Sequence, residues 1–333
     1  MMPAVECLRR DFLRSDRLSC RIIRLGQDPD VSLGPSSIAI GAFDGVHRGH
    51  RDLIAAMRQD ARARGCAAVV VTFDPDPDVV VRAHPAQKLM AVDDRLGVLA
   101  RLGVDAVVVV PFSRHIACLD HVGFFDLLSS IMDIRTIRVG SDFRLGRGGA
   151  STVEVIRAWG TGLGIDVFGH RLVCDAGETI CATRIRALLA QGHVTEASEL
   201  LGRHHMVRGE VAAGRGEGTG MGFPTANIKV PSYIQMPADG VYEGLLLVDD
   251  TVWPAAVNVG VPPTYAADAA SAHLEANLIG YAGDLYGCDV SLAFTRFLRP
   301  SRVFDSLDEL IATVEGNIDD INQNLGDKGV KLA

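Results

Sequence analysis

The chain has 333 residues, of which 48% are hydrophobic and 22% charged, so it is long enough for two hydrophobic cores and ordinary in composition. The formal net charge of −8 argues against general binding to nucleic acids or anionic membranes, and neither partner is expected. Seven cysteines without a C-x-x-C pair are typical of reduced thiols in a cytoplasmic protein. The first residues contain no apolar signal-peptide core, and no apolar run is long enough to span a bilayer.

The first half of the chain alternates strand-length apolar runs with helix-length amphipathic runs. Strand patterns occupy residues 37–42, 67–73, 105–112, 136–140 and 165–170, and helix patterns occupy residues 49–64, 92–102, 121–131 and 152–162. The strands are nearly continuous in Val, Ile and Ala, as expected when helices cover both faces of a sheet. This α/β half is therefore predicted to be a doubly wound parallel sheet, whose ligands bind at the carboxyl ends of the strands.

The second half has a different pattern. A helical stretch at residues 183–201 is followed by strand patterns at residues 206–212, 225–230, 240–248, 252–259, 273–278 and 289–298. Turns rich in Gly, Pro and Asp separate these strands and predict a small antiparallel β-barrel. Ser306 and Glu309 form a capping box that begins a C-terminal helix, and the tail after Asn324 is expected to fray. The predicted domains are residues 1–186, a linker helix at 187–203, and the barrel with its helix at 204–326.

Two histidines, His47 and His50, lie three residues apart where a helix is predicted to begin. A helix amino terminus offers free N–H groups to a phosphate, and the glycines before it let the backbone approach a ligand closely. Two imidazoles beside those donors could stabilise the charge on a phosphate under attack. The alternative is a strand–helix corner with one structural and one surface histidine. Agreement between the strand, the glycine turn and the helix favours a nucleotide site.

The segment from Gly41 to His50 reads G-x-F-D-G-V-H-x-G-H and resembles the signature of the HxGH nucleotidyltransferases. Within that group it resembles the bifunctional riboflavin kinase/FMN adenylyltransferases of prokaryotes. The resemblance implies that FMN phosphate attacks the α-phosphorus of ATP and expels pyrophosphate, a reaction that depends on positioning and charge stabilisation. It assigns catalysis to His47 and His50, and nucleotide contacts to Gly41, Phe43, Asp44 and Gly49.

Arg184 and Arg186 open a predicted helix, where basic residues are poorly placed for the helix dipole. An anionic ligand and ordinary surface arginines explain them equally well. The resemblance favours the ligand, because Thr183 and Arg186 match a family motif, I-S-S-T-x-I-R, that contacts ATP phosphates. Cys181 and Ala182 stand where that motif has serines, so two hydroxyl donors are missing.

Two other motifs of this half depart from the family. Its T-F-x-P-H-P becomes Thr72–Pro77 with Asp76 in place of the histidine, and its D-F-x-F-G becomes Asp142–Gly146. The resemblance still assigns flavin contacts to Asp142 and Phe143. Asp76 is expected to place negative charge beside two anionic substrates, where like charges repel. Together with the missing hydroxyls, this predicts a weak but real adenylyltransferase.

A glycine-rich loop with Gly214, Gly216 and Gly218 could wrap phosphates with its N–H groups, although such a loop alone is more often a turn. It runs into Pro224-Thr225-Ala226-Asn227, and together they resemble the G-x-P-T-A-N motif of riboflavin kinases. The resemblance implies that Thr225 and Asn227 meet Mg²⁺ and the phosphates of ATP. Both side chains face one way on a strand, and hard oxygen ligands suit Mg²⁺.

Glu275 precedes Asp284-Leu285-Tyr286-Gly287, and by resemblance it is the general base that takes the proton from the riboflavin 5′-hydroxyl. Without the flanking motif, a solvent-facing strand residue would be the better interpretation. The resemblance also assigns flavin contacts to Tyr286 and Arg299.

The sequence thus predicts a bifunctional enzyme that uses Mg²⁺ and ATP to convert riboflavin to FMN and FMN to FAD. One alternative is a riboflavin kinase whose N-terminal domain serves only as a scaffold. Another is a flavin-binding regulator without turnover, which would need no general base. The oligomeric state is not predicted.

Overall fold

The computed structural model describes residues 20–28, 31–212, 223–260 and 274–332. Their contacts separate the described residues into two units. The first contains the described residues up to 86 together with 91–181, and the second contains residues 87–90 together with 182–332.

The first unit is an α/β sandwich. Its strands are β1 (Arg21–Arg24), β2 (Pro35–Ile40), β3 (Ala67–Phe73), β4 (Ala106–Val110), β5 (Asp133–Gly140), β6 (Arg144–Leu145), β7 (Ser151–Thr152), β8 (Asp166–His170), β9 (Cys174–Asp175) and β10 (Glu178–Thr179). Its helices are α1 (Arg48–Arg64), α2 (Pro77–Val81), α3 (Val92–Ala100), α4 (Arg114–Cys118), α5 (His121–Ser129) and α6 (Val153–Thr161). Among these described elements, six strands form one parallel sheet in the order β1-β4-β3-β2-β5-β8.

The predicted doubly wound sheet is confirmed. Every residue of β4 is buried, as are the last six residues of β3, because helices cover both faces. From β2 the chain moves to β3 on one side, and β5 lies on the other side. The carboxyl ends of β2 and β5 therefore meet where the strand order reverses, which is where ligands bind in such sheets.

The second unit is a β-barrel with helices. Its helices are α7 (Ala182–Ala190), α8 (Val194–Leu201) and α9 (Leu307–Leu325). Its strands are β11 (His205–Ala212), β12 (Ala226–Lys229), β13 (Gly240–Val248), β14 (Thr251–Val259), β15 (Leu274–Leu278), β16 (Asp289–Arg299) and β17 (Val330–Lys331). Within the described ranges, the order β13-β16-β11-β12-β15-β14 is closed by a pairing of β13 with β14. The predicted antiparallel barrel with a C-terminal helix is confirmed.

A buried carboxylate anchors α9 to the barrel. Glu243 on β13 is 1% exposed and accepts hydrogen bonds from Asn324 Nδ2 at 2.9 Å and from Arg296 at 3.0 Å. Thr295 Oγ1 donates to the same carboxylate at 2.7 Å. Because each of these partners offsets part of the cost of burying the charge, the network fixes where the helix lies.

Two local expectations need correction. The tail after Asn324 does not fray, because Val330–Lys331 pairs antiparallel with Thr251 and Val252. The helical stretch at 183–201 is two helices, separated at Gly192, whose φ of 82° ends the first one. Ser306 caps α9 as predicted by accepting a hydrogen bond from the Glu309 N–H at 3.2 Å.

In the described parts of the chain, no helix is both long and apolar enough to cross a membrane.

Candidate active sites

The turn between β2 and α1 has an unusual backbone. Phe43, Gly45 and Val46 all have positive φ, at 53°, 75° and 40°. This region is costly for a β-branched residue such as Val46 and persists only where the surroundings impose it. Phe43 and Val46 are buried, at 2% and 0% exposure, so packing holds the turn in place.

His47 and His50 are brought together at the start of α1. His47 is the N-cap, and its Nδ1 accepts a hydrogen bond from the His50 N–H at 3.3 Å. A neutral His47 therefore carries its proton on Nε2. The two rings stack with centroids 3.6 Å apart and planes 19° apart. The turn thus presents two parallel imidazoles beside a helix amino terminus, which suits a phosphate.

The glycines of this turn are explained by ring packing. A Cβ at Gly49 would lie 3.2 Å from the His47 ring, and a Cβ at Gly41 would lie 3.1 Å from the Phe43 ring. The Phe43 ring also meets His50 edge-on, with centroids 5.2 Å apart. Because this ring is buried beneath the turn, Phe43 supports the histidines.

Asp76, which lies between β3 and α2, is paired with an opposite charge. It is 5% exposed and accepts a hydrogen bond from Arg95 Nη1 at 2.5 Å, while Arg95 is 1% exposed. The second guanidinium nitrogen of Arg95 donates to the Phe73 carbonyl at 2.6 Å. The expectation that Asp76 repels anionic substrates is therefore wrong, since Arg95 supplies the opposite charge.

The remaining predicted residues of this half are placed as follows. Asp44 is buried in the turn, and Asp142 is exposed immediately after β5, at the point where the strand order reverses. Phe143 is half-buried and packs against the core of the sheet. Thr183 and Arg186 lie on α7 in the second unit, where Arg186 donates to the Thr183 hydroxyl at 3.3 Å.

The barrel aligns the predicted base with the predicted metal ligand. Asn227 on β12 is the direct partner of Glu275 on β15, and Glu275 is in turn the direct partner of Asn258 on β14. Directly opposed residues of an antiparallel pair point to the same face with their Cβ atoms about 5 Å apart. All three are partly exposed, whereas their sequence neighbours on the barrel strands are buried. Asn227, Glu275 and Asn258, hereafter the amide–carboxylate row, therefore form one polar surface.

Asn258 belongs to a segment, Asn258-Val259-Gly260, that resembles a riboflavin kinase motif, but the sequence assigns it no role; the register between strands places it beside Glu275. Asn277, two residues further along β15, donates from Nδ2 to the Pro224 carbonyl at 2.8 Å. This bond fixes the chain immediately before Thr225, which is partly exposed. The predicted phosphate-binding glycines, Gly214, Gly216 and Gly218, lie outside the described residues.

The two predicted flavin contacts of the barrel differ in environment. Tyr286 is 63% exposed, and its N–H donates to the Asp284 carboxylate at 2.9 Å. Arg299 is half-buried, with its guanidinium 5.5 Å from the centre of the Phe304 ring. Burial lowers the pKa of Arg299, and the charge of Arg302 lowers it further.

Comparisons with known proteins match both halves. The FAD synthetase family matches residues 31–184, and the riboflavin kinase family matches residues 201–325. A protein from Escherichia coli K12, described as a bifunctional riboflavin kinase/FMN adenylyltransferase, is 33% identical over 83% of this chain and 88% of the relative. A protein of the same description from Bacillus subtilis is 29% identical over 84% of this chain and 89% of the relative.

One solved structure also matches over nearly the whole chain. It is described as a macrolide-efflux protein from Streptococcus pneumoniae, with a TM-score of 0.81, 28% identity, and coverage of 91% of this chain and 99% of that one. The first unit thus contains nearly all of the FAD synthetase match and carries the HxGH turn. The second unit contains the riboflavin kinase match and carries the amide–carboxylate row. The chain belongs to the family of bifunctional riboflavin kinase/FMN adenylyltransferases.

Proposed function

We propose that the chain makes FAD from riboflavin in two steps, with riboflavin and ATP as the first substrates. The barrel transfers the γ-phosphoryl group of ATP to the riboflavin 5′-hydroxyl and forms FMN. The first unit then joins FMN to the adenylyl group of a second ATP and releases pyrophosphate. The two family matches, one for each unit, support this division.

In the kinase step, Glu275 accepts the proton that leaves the riboflavin hydroxyl as its oxygen attacks the γ-phosphorus. Asn227 offers an amide oxygen opposite this carboxylate, and Thr225, which lies immediately before β12 and not on it as predicted, offers a hydroxyl. Both are the hard oxygen ligands that Mg²⁺ accepts when phosphates complete its coordination. When bound there, Mg²⁺ would neutralise charge on the ATP phosphates. Among the described residues, no cluster of three or more His, Cys, Asp or Glu side chains offers a different metal site.

In the adenylylation step, the FMN phosphate is itself the nucleophile, so the first unit supplies binding and charge stabilisation. His47 and His50 donate from their rings to the phosphate oxygens, and the first N–H groups of α1 add the positive end of the helix. The rigid turn holds these donors before substrate arrives, which lowers the reorganisation needed during the reaction.

The alignment of Asn227 with Glu275 is the observation that carries the kinase proposal, because it pairs a metal ligand with a base. A regulator without turnover has no use for that pairing. The stacked histidines likewise speak against a first unit that acts only as a scaffold.

The test is to incubate the full chain with riboflavin and ATP, with and without Mg²⁺, and to separate the flavins. FMN should form first and FAD later, and both should require the metal. Accumulation of FMN without FAD would favour the scaffold, and bound but unchanged riboflavin would favour the regulator.

A further inference from the structure

A buried ion pair closes the corner that follows β3. Arg95 reaches from α3 with two nitrogens, one to the Asp76 carboxylate and one to the Phe73 carbonyl. Its partners lie on either side of Asp74 and Pro75, so one guanidinium holds both ends of the corner. We refer to Arg95, Asp76 and the Phe73 carbonyl as the corner clamp.

Stability alone is a poor explanation for the corner clamp. Both side chains are almost fully buried, and burying two charges costs free energy that their attraction often fails to recover. The cost is not fully offset here, since Arg95 Nε is buried and makes no hydrogen bond to any described residue. An apolar pair would fill the space at lower cost, whereas a forked guanidinium fixes the direction of a loop.

The corner clamp lies beside the HxGH turn. The Thr72 hydroxyl donates to the Ala42 carbonyl at 3.2 Å, and the Gly41 N–H donates to the Val71 carbonyl at 3.1 Å. Helix α3, which carries Arg95, packs against the short helix Asp44–Val46 that precedes His47. A shift of Arg95 would therefore move both β3, which contacts the start of the turn, and α3, which packs against Asp44–Val46.

We propose that Arg95 is a positioning residue for FMN adenylylation, and this rests on the function proposed above. It aims the corner after β3 at the substrate phosphates and neutralises Asp76, which stands where the resembling family has histidine. The pair thus keeps a carboxylate at the edge of an anion site without repelling the anions. Without Arg95, Asp76 would lose the buried guanidinium that pairs with it, and its negative charge would act more strongly on nearby anions.

The proposal is tested with Arg95→Met, Asp76→Asn and the double variant in the full chain. Kinetics of FAD formation from FMN are compared with FMN formation from riboflavin, which uses residues of the other unit. Arg95→Met should raise KM for FMN by about tenfold through charge repulsion. The double variant should recover most of that loss, and the kinase reaction should not change. Arg101→Met, at the end of the same helix, is the matched control.

Equal KM values for FMN in wild type and Arg95→Met would overturn the proposal. So would a double variant as impaired as Arg95→Met, because lost packing rather than charge would then explain the defect. Arg95→Lys keeps the charge without the fork, and it should retain KM while lowering kcat. If the wild type forms no FAD at all, the proposed adenylylation fails, which is a different result from an unaffected Arg95→Met.

Discussion

At the scale of single residues, the amide–carboxylate row supports the proposal that Glu275 acts as a base. Glu275 lies between two amides on neighbouring strands, and each can donate to it or accept from a substrate hydroxyl. By resemblance, Asn227 faces the metal. We infer that Asn258, whose Nδ2 also donates to the Gly260 carbonyl at 3.4 Å, helps to orient the carboxylate or the ribityl chain.

Replacing Asn258 with alanine should therefore slow FMN formation by about tenfold, because a base that is not held in place transfers protons less efficiently. Steady-state kinetics of riboflavin phosphorylation measure this, and FAD formation from supplied FMN should not change. Thr251→Ala, at the far end of the same strand, is the control. A kinase rate in Asn258→Ala equal to that of the control would remove Asn258 from the site.

His205 gives the barrel a defined response to pH. It is 1% exposed and contacts the Gln235 carbonyl through Nε2 at 2.8 Å, and burial lowers the pKa of His205 to about 4. The folded pKa lies below the unfolded value of about 6.5, so unfolding takes up a proton between these limits. The contribution of His205 to the free energy of unfolding is therefore fully present above a pH of about 6.5. It falls by roughly 3 kcal/mol as the pH is lowered towards 4.

This prediction is checked by hydrogen exchange of the barrel amides at pH 7 and pH 5, corrected for the intrinsic exchange rates. Protection should fall in the wild type and fall less in His205→Gln, which cannot titrate. The exposed His84→Gln is the control and should behave like the wild type. An equal loss of protection in all three proteins would show that His205 is not responsible.

Residue chemistry was predictable where it depended on a local motif and not where it depended on distant partners. His47, His50 and Glu275 stand out because neighbouring residues in the sequence carry the signal. The charge of Asp76 was misjudged because its partner, Arg95, lies 19 residues later on α3 and nothing in the sequence links them.

At the scale of elements, the start of α1 depends on the absence of a side chain at residue 49. A Cβ there would sit 3.2 Å from the His47 ring and 3.5 Å from the Ile180 carbonyl. Gly49→Ala should push the His47 ring off its stack with His50 and lower FAD formation by about tenfold or more. The same assay on Gly65→Ala tests the glycine that follows the last residue of α1, away from the site.

That control is informative because Gly65 has a φ of 62° and open space around it, so alanine strains the helix end without touching the histidines. Both variants can lose stability, but only Gly49→Ala should lose adenylylation at a temperature where each is folded. Normal FAD formation by Gly49→Ala would mean that the stacked arrangement is not required.

Most elements were predictable because their periodicity is strong, and the exceptions are short. Strand β1 was missed, since Arg21–Arg24 has charged ends and gains its order by pairing with β4. Strand β17 was also missed, because two residues are too few to show a periodic pattern. Like β1, it is ordered by pairing with another strand, in this case β14.

At the scale of the molecule, the division into units bears on how the chain can be cut. Helices α7 and α8 group with the barrel, and Leu189, Leu200 and Leu201 are buried. A fragment beginning at Ala182 should fold and phosphorylate riboflavin, whereas one beginning at Leu201 should be less stable because it lacks both helices. Circular dichroism melting and kinase assays distinguish them. Equal stability of the two fragments would show that α7 and α8 do not stabilise the kinase domain.

We expect one chain to carry out the two reactions at separate sites, and two variants test this most directly. Glu275→Gln and His50→Ala are each supplied first with riboflavin and then with FMN, with MgATP present, and the flavins are separated. Glu275→Gln should make no FMN from riboflavin but normal FAD from FMN, and His50→Ala should make FMN but little FAD. Normal FMN formation by Glu275→Gln, or FAD formation by His50→Ala at the wild-type rate, would contradict the account.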